Sequence, residues 1–166
     1  TNFRYMTPAD LDGPTPDFAS IDVSFISLKI ILPPLKALLQ QPADIAALIK
    51  PQFEAGREKV GKSGVVRDSA VHKEVLVKVL TMAAELGYQL KGLTFSPITG
   101  GEGNIEFLVH WRLEPMEVTD PSGEQQSGSP LSDSVIQEIT ALSEAVVKEA
   151  TTTFKVSSTH GNSSVR

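Results

Sequence analysis

Asp22, Lys50 and Glu106 are the residues whose types and surroundings could do chemistry. Asp22 follows the run "FASI", Lys50 closes "DIAALI" just before Pro51, and Glu106 follows the glycine-rich "TGGEGNI". A charge at the lip of an apolar run is unfavourable unless something pairs with it or uses it. In an open α/β sheet the carboxyl ends of parallel strands line the ligand crevice. A last strand running antiparallel would present its beginning at that same edge. The three side chains can therefore converge, although no pair is close in sequence. The alternative is that each is an ordinary strand-end charge, alone or in a structural ion pair.

Other candidates are weaker. "GREKVGKS", residues 56–63, fits the pattern G-x-x-x-x-G-K-[ST] of a phosphate-cradling loop. That loop needs a strand directly before it and a helix opening at its Lys-Ser. Here "PQFEA" intervenes on one side, and Gly64 to Arg67 on the other. His72 is placed on the charged side of a helix, His110 alternates along a strand, and His160 sits in the tail. No two share a helix face at a ligand spacing, so no metal site is expected. Arg57, Lys59, Lys62 and Arg67 share an eleven-residue run with a single acid, Glu58. Such a run reads as a solvated loop or as a track for a polyanion.

These residues need elements to position them. "DFASIDVSFIS" reads as a short strand ending near Asp22, after a turn at Pro16 and Asp17. Ser27 can cap a helix through "LKIILPPLKALLQ", which Pro33 and Pro34 should break and restart. "DIAALIK" is apolar enough for a strand covered on both faces, followed by a loop from Pro51 to Arg67. Asp68 caps the clearest helix, with Val71, Val75, Val79, Met82 and Leu86 in a stripe beside Leu76, Leu80 and Ala83. Gly87 stops it. "YQLKGLTFSPI" and "IEFLVHWRL" read as two strands joined by a hairpin-like turn at "TGGEGN". This order predicts an α/β domain over 1–113 that closes with an antiparallel strand pair. Residues 114–130, rich in Pro, Ser, Gly, Gln and acids, read as a linker or insertion loop. Residues 131–152 read as an amphipathic helix through Val135, Ile139, Leu142 and Val146. It is expected to pack back on the domain, with a partner-binding helix as the alternative. Residues 153–166 read as a loose tail.

Composition bounds the function. The 166 residues suit one domain, 40% are hydrophobic, and there is no cysteine. That excludes disulfides, thiolate zinc sites and cysteine nucleophiles. The apolar stretch "FISLKIILPPLKALL" is interrupted by Lys29, Pro33, Pro34 and Lys36, so no membrane span is expected. A net charge of -5 argues against autonomous nucleic-acid binding. "TNFRYMTPADLDGP" has no signal-peptide core and does not begin with methionine, which suggests a chain trimmed at its front.

Three blocks, "IDVSFISLKIILPPL", "LIKPQFEAGREKVGKSGVVRD" and "SPITGGEGNIEFLVH", resemble the TlyA (hemolysin A) family of FtsJ-like ribosomal RNA methyltransferases. The likeness runs in order from about Asn2 to His110. It implies a Rossmann-like, S-adenosylmethionine-dependent methyltransferase fold behind a small RNA-binding module, in a cytoplasmic enzyme that acts on ribosomal RNA or ribosomal subunits. The implied activity is methyl transfer to the ribose 2'-hydroxyl of cytidine. FtsJ-like enzymes use a Lys-Asp-Lys-Glu tetrad, in which Asp22, Lys50 and Glu106 would be the aspartate, second lysine and glutamate. Asn2 and Phe3, with Asp22, would meet the cofactor. Arg57, Lys59, Lys62 and Arg67 would lie beside the site, where RNA phosphates pass.

The resemblance makes the chemistry intelligible. A ribose hydroxyl is a poor nucleophile, whereas the cofactor's methyl group is activated, so oxygen, methyl and sulfur must be aligned and the hydroxyl proton eased away. A lysine is a base if burial and neighbours favour its neutral form, and nearby carboxylates favour the charged form. An orienting role for Lys50 is thus supported at least as well as a base role. The tetrad's first lysine, the glycine-rich cofactor loop and the RNA-binding module belong upstream of Thr1. The chain alone is therefore expected neither to bind cofactor well nor to methylate RNA. Two other readings are a membrane-acting hemolysin, as the family's second name suggests, and a non-catalytic ribosome-binding relative. No basic amphipathic helix supports the first.

Overall fold

A computed structural model of the chain describes residues 2–115 and 130–160, the last five of these by backbone alone. Most of the expected linker, residues 116–129, and the final six residues lie outside the described part.

Four strands form one mixed sheet in the order β1-β2-β4-β3. They are β1 (Phe18–Ile21), β2 (Ala43–Ile49), β3 (Gln89–Phe95) and β4 (Phe107–Leu113). β1 and β2 run parallel, with Ile21 opposite Ala47. β4 lies antiparallel to both neighbours, with Ile49 opposite Phe107 on one side and Phe95 opposite Phe107 on the other. This register brings the end of β2 and the beginning of β4 to one edge.

Alternation decides which face is covered. Ala43, Ile45, Ala47 and Ile49 of β2 are buried, as are Phe107, Val109, Trp111 and Leu113 of β4. They share one core with residues of helices α1 (Leu28–Leu38), α3 (Ser69–Glu85) and α4 (Asp133–His160). The alternate residues Leu108 and His110 are exposed, and Asp44 bonds His110 and Arg112 beside them. β2 is thus covered fully on one face only, where the sequence predicts cover on both.

Pro33 and Pro34 do not break α1, which continues through them to Leu38. Their missing N–H groups leave the carbonyls of Lys29 and Ile30 without helical partners, but Lys29 is exposed and Ile30 only half-buried. Meanwhile Leu28, Ile31, Leu32, Leu35 and Leu38 are buried. Tyr88 Oη also donates to Leu32 O at 2.6 Å, and Lys36 Nζ to Leu86 O at 2.7 Å. Tertiary packing outweighs the local preference here.

α3 begins and ends as its caps require. Asp68 accepts from Ala70 N at 2.9 Å. Gly87 adopts φ +93°, while Tyr88 N and Gly87 N donate back to Ala83 O and Ala84 O, the double closure that a left-handed residue permits. The buried arc is His72, Val75, Leu76, Val79, Leu80 and Ala83. His72 is therefore not on the charged side. It is buried, its Nε2–H donates to Val66 O at 3.0 Å, and its ring meets Phe107 edge-on.

α4 packs on α3 and β3 through buried Ile139, Ser143, Val146, Val147 and Ala150, with Leu142 exposed. It does not stop at Thr152 but runs to His160, and Phe154 meets Phe95 at 5.9 Å between ring centroids. Of the expected loose tail, residues 153–160 are thus helical. No helix among the described residues is long and apolar enough to cross a membrane.

Candidate active site

Lys50 directly follows β2 and Asp22 directly follows β1. Because the strands are parallel and adjacent, their ends are neighbours. Lys50 Nζ lies 2.6 Å from Asp22 Oδ1, and 3.3 Å from Ser24 Oγ. The lysine side chain is 12% exposed and the aspartate 69%.

Pro51 opens the one-turn helix α2 (Pro51–Glu54), with Lys50 at its N-cap. The fixed φ of proline suits the first helical position and ends the strand ladder in one step. Lys50 and the three residues after Pro51 each reach a different part of the site. Lys50 meets Asp22. Gln52 Nε2 donates to Glu106 Oε1 at 3.1 Å. The Phe53 ring lies 4.9 Å from that of Phe25. Glu54 accepts from Ser27 Oγ at 2.7 Å and from Leu28 N at 2.8 Å.

Glu106 is buried immediately before β4. It forms no ion pair with Lys50 and joins the pair only through Gln52. Direct contact therefore unites two of the three strand-end charges, and the third is linked through α2. Gly100 makes room for it, since a Cβ there would overlap the Glu106 carboxylate.

Several residues of this arrangement carry no sequence signal that isolates them. Phe25 has φ +62° and is 90% exposed. A bulky residue in the left-handed region is strained, and strain of this kind clusters at functional sites. Glu54 is buried, which pushes its carboxyl above the ordinary value of 4.5, against the Leu28 N–H, the Ser27 hydroxyl and the Lys78 ammonium. Burial likewise pushes His72 below its ordinary value, while its bond to Val66 and the nearby Asp68 act the other way.

Asn104 ties two loops together. Its Oδ1 accepts from Val66 N at 3.0 Å, and its Nδ2 donates to Gly64 O at 3.0 Å and Gly101 O at 2.9 Å. The basic loop is thereby fastened to the glycine turn that leads into Glu106. Within that loop Val65 and Val66 are buried, while Arg57, Lys62 and Arg67 are exposed and bond no described side chain. Lys59 pairs with Glu74 at 2.5 Å. The phosphate-loop match has neither flank it needs, since α2 precedes Gly56 and α3 opens only at Ser69.

Asn2 caps a one-turn 3-10 helix, Phe3–Tyr5, by accepting from Arg4 N at 3.1 Å. That turn packs on α1, and Phe3 is half-buried against the core. Asn2 makes no hydrogen bond to Asp22, Lys50 or Glu106.

Comparison with known proteins narrows what this geometry serves. Residues 1–113 match the family described as FtsJ-like methyltransferase. The Bacillus subtilis (strain 168) protein named "Putative rRNA methyltransferase YqxC" is 52% identical over 149 residues, covering 90% of this chain and 50% of the relative. The Mycobacterium tuberculosis protein named 16S/23S rRNA (cytidine-2'-O)-methyltransferase TlyA is 40% identical over 114 residues, covering 69% of this chain and 42% of the relative. A solved structure named "Putative hemolysin from Streptococcus thermophilus" aligns with a TM-score of 0.79 at 43% identity, covering 96% of this chain and 51% of that one. The chain spans about half the length of these relatives.

Proposed function

The chain belongs to the FtsJ-like methyltransferase family, and from that membership we propose that it is the catalytic part of an RNA 2'-O-methyltransferase. The substrate is the ribose 2'-hydroxyl of cytidine in ribosomal RNA, the activity that the name of the 40%-identical relative carries. The observation that carries this reading is the Lys50–Asp22 pair at adjacent parallel strand ends, with buried Glu106 joined to it through Gln52.

Methyl transfer to a hydroxyl needs alignment more than it needs strong acid or base. The Lys50 ammonium, held by Asp22 on one side and Ser24 on the other, is a fixed donor able to orient the hydroxyl oxygen. The Glu106 carboxylate is an acceptor for the proton side of that hydroxyl. Pro51 and the anchored turn behind it keep the lysine from following solvent.

S-adenosylmethionine would be held by Asn2, Phe3 and Asp22, and supplies an activated methyl group when bound. The residues present fit a cationic, amine-bearing ligand. Asp22 is mostly exposed, and its Oδ2 has no partner among the described residues. Asn2 uses only its side-chain oxygen in capping, which leaves its amide N–H free. Arg57, Lys62 and Arg67 give the RNA phosphates three cations without a side-chain partner among the described residues, with Lys59 shared with Glu74. Phe25, its ring tilted at 49° against that of Phe53, offers an aromatic face for a base.

The test uses the full-length enzyme with each ribosomal subunit and S-adenosylmethionine labelled in its methyl group. Label should enter RNA at a ribose 2'-oxygen of cytidine and depend on Lys50. Label confined to bases, or absent from both subunits, overturns the proposal.

A further inference from the structure

We infer that Gln52 is a positioning residue whose side-chain amide sets the Glu106 carboxylate at the mouth of the site. This inference rests on the methyltransferase reading for its kinetic consequence, but not for its structural one.

Gln52 Nε2 donates to Glu106 Oε1 at 3.1 Å. The other end of the same amide, Oε1, is buried with no hydrogen-bond partner among the described residues. Buried polar atoms in folded proteins are nearly always paired, and an orphaned acceptor is unfavourable. A glutamine kept only for stability would turn its amide until both ends were met. This one cannot, because turning it round would set its oxygen against a carboxylate oxygen. The carboxylate dictates the amide's orientation, and the unmet acceptor is the consequence.

The root of the side chain is equally fixed. Pro51 is buried before it, and Glu54 is bonded to Ser27 and Leu28 after it. On the far side Gly100 leaves the space that Glu106 occupies, so the carboxylate lies between a glycine and an amide. Oε1 is engaged by Gln52, and Oε2 has no partner among the described residues, which leaves it as the acceptor for substrate. Because Lys50 stands two residues before Gln52 on the same turn, the donor for the hydroxyl oxygen and the acceptor for its proton share one rigid base.

The test is Gln52→Met, which keeps the length and removes both ends of the amide. A crystal structure of this chain with the change should show the Glu106 carboxylate displaced from its place against Gly100. A carboxylate that stays in place overturns the inference, whatever the activity. In the full-length enzyme kcat should fall on the order of a hundredfold, as misplacement of about an ångström does. KM for RNA, cofactor affinity and melting temperature should hold, since the lost bond is offset by loss of the orphaned oxygen. A melting temperature that drops while kcat per folded molecule is kept marks a merely structural residue and overturns the inference. Gln52→Glu keeps the shape and sets two carboxylates face to face, so it should displace Glu106 as well; it decides the point if the methionine variant does not fold. A wild-type enzyme without methyl transfer would overturn the parent proposal, and the displacement of Glu106 would still decide this one.

Discussion

The ammonium of Lys50, nearly buried, is tied at 2.6 Å to the carboxylate of Asp22, which stands mostly in solvent. An ion pair with one partner so exposed contributes little to folding, about 0–1 kcal/mol, whereas withdrawing an ammonium group from water is unfavourable. The pair is better explained as a device that aims Lys50 than as a stabilising bridge.

Lys50→Met should therefore leave the fold nearly untouched and remove the activity. The expected result is a change in unfolding free energy within about 1 kcal/mol, with methyl transfer down on the order of a hundredfold or more. Urea denaturation of the chain and a single-turnover methylation assay of the full-length enzyme check the two halves. A variant that keeps its rate would remove Lys50 from the machinery.

Phe25→Gly separates strain from use. Glycine accepts φ +62° without penalty, so the variant should be as stable as the parent or more so, by about 1 kcal/mol. The aromatic face is lost, so KM for RNA should rise several-fold. Calorimetry of the chain and RNA-dependent methylation by the full-length enzyme measure these. A destabilised variant with unchanged KM would show that the ring serves the fold.

Parts of this site are legible in the sequence and parts are not. β2 and α3 are legible because a covered strand and a capped helix impose local patterns, and Lys50 stands out because Pro51 stops the strand beside it. The pattern of α3 misplaces His72 alone among its buried residues. Val75 and Val79 are buried as the stripe predicts, together with Leu76, Leu80 and Ala83, while Val71 is only half-buried and the inward edge is completed by His72, whose bond to Val66 O no local pattern announces. Pro33 and Pro34 mislead because local preference yields to the burial of Leu32 and Leu35. Gln52, Glu54 and Asn104 escape notice because their partners lie 54, 26 and 38 positions away, at Glu106, Leu28 and Val66. No local pattern encodes a polar contact of that range. Phe25 escapes because left-handed backbone at a phenylalanine follows from its surroundings and not from its type.

Glu54 should give stability a recognisable pH dependence. Burial raises its native carboxyl above 4.5, so over that interval the folded chain binds more protons than the unfolded one. Stability must then fall as pH rises from 4.5 through the raised native value, and level off above it. Glu54→Gln lacks this contribution. The stability of the wild type relative to the variant should therefore decline across that interval, by up to about 1.4 kcal/mol per pH unit. Denaturation curves at several pH values from 4 to 8 test this, and a difference independent of pH would refute it.

Asn104→Ala should loosen the basic loop without unfolding the domain. It leaves the buried Val66 N–H unpaired, at about 1–3 kcal/mol for such a group, and takes one partner each from the exposed Gly64 and Gly101 carbonyls, of which Gly101 O keeps Asn104 N. Amide hydrogen exchange should accelerate at Val66 and across residues 61–67 while the core of α3 stays protected. Equal acceleration throughout would mean that Asn104 holds the whole domain and not the loop.

The turn from Lys50 to Glu54 has a consequence for which sequence changes the chain can accept. Successive residues of a helical turn point about 100° apart, and here Lys50, Gln52, Phe53 and Glu54 each have a separate destination. Replacing one side chain removes one destination. Inserting or deleting a single residue reassigns all of them at once: the amide would no longer face Glu106, nor the carboxylate the start of α1. This segment can therefore vary in composition far more readily than in length.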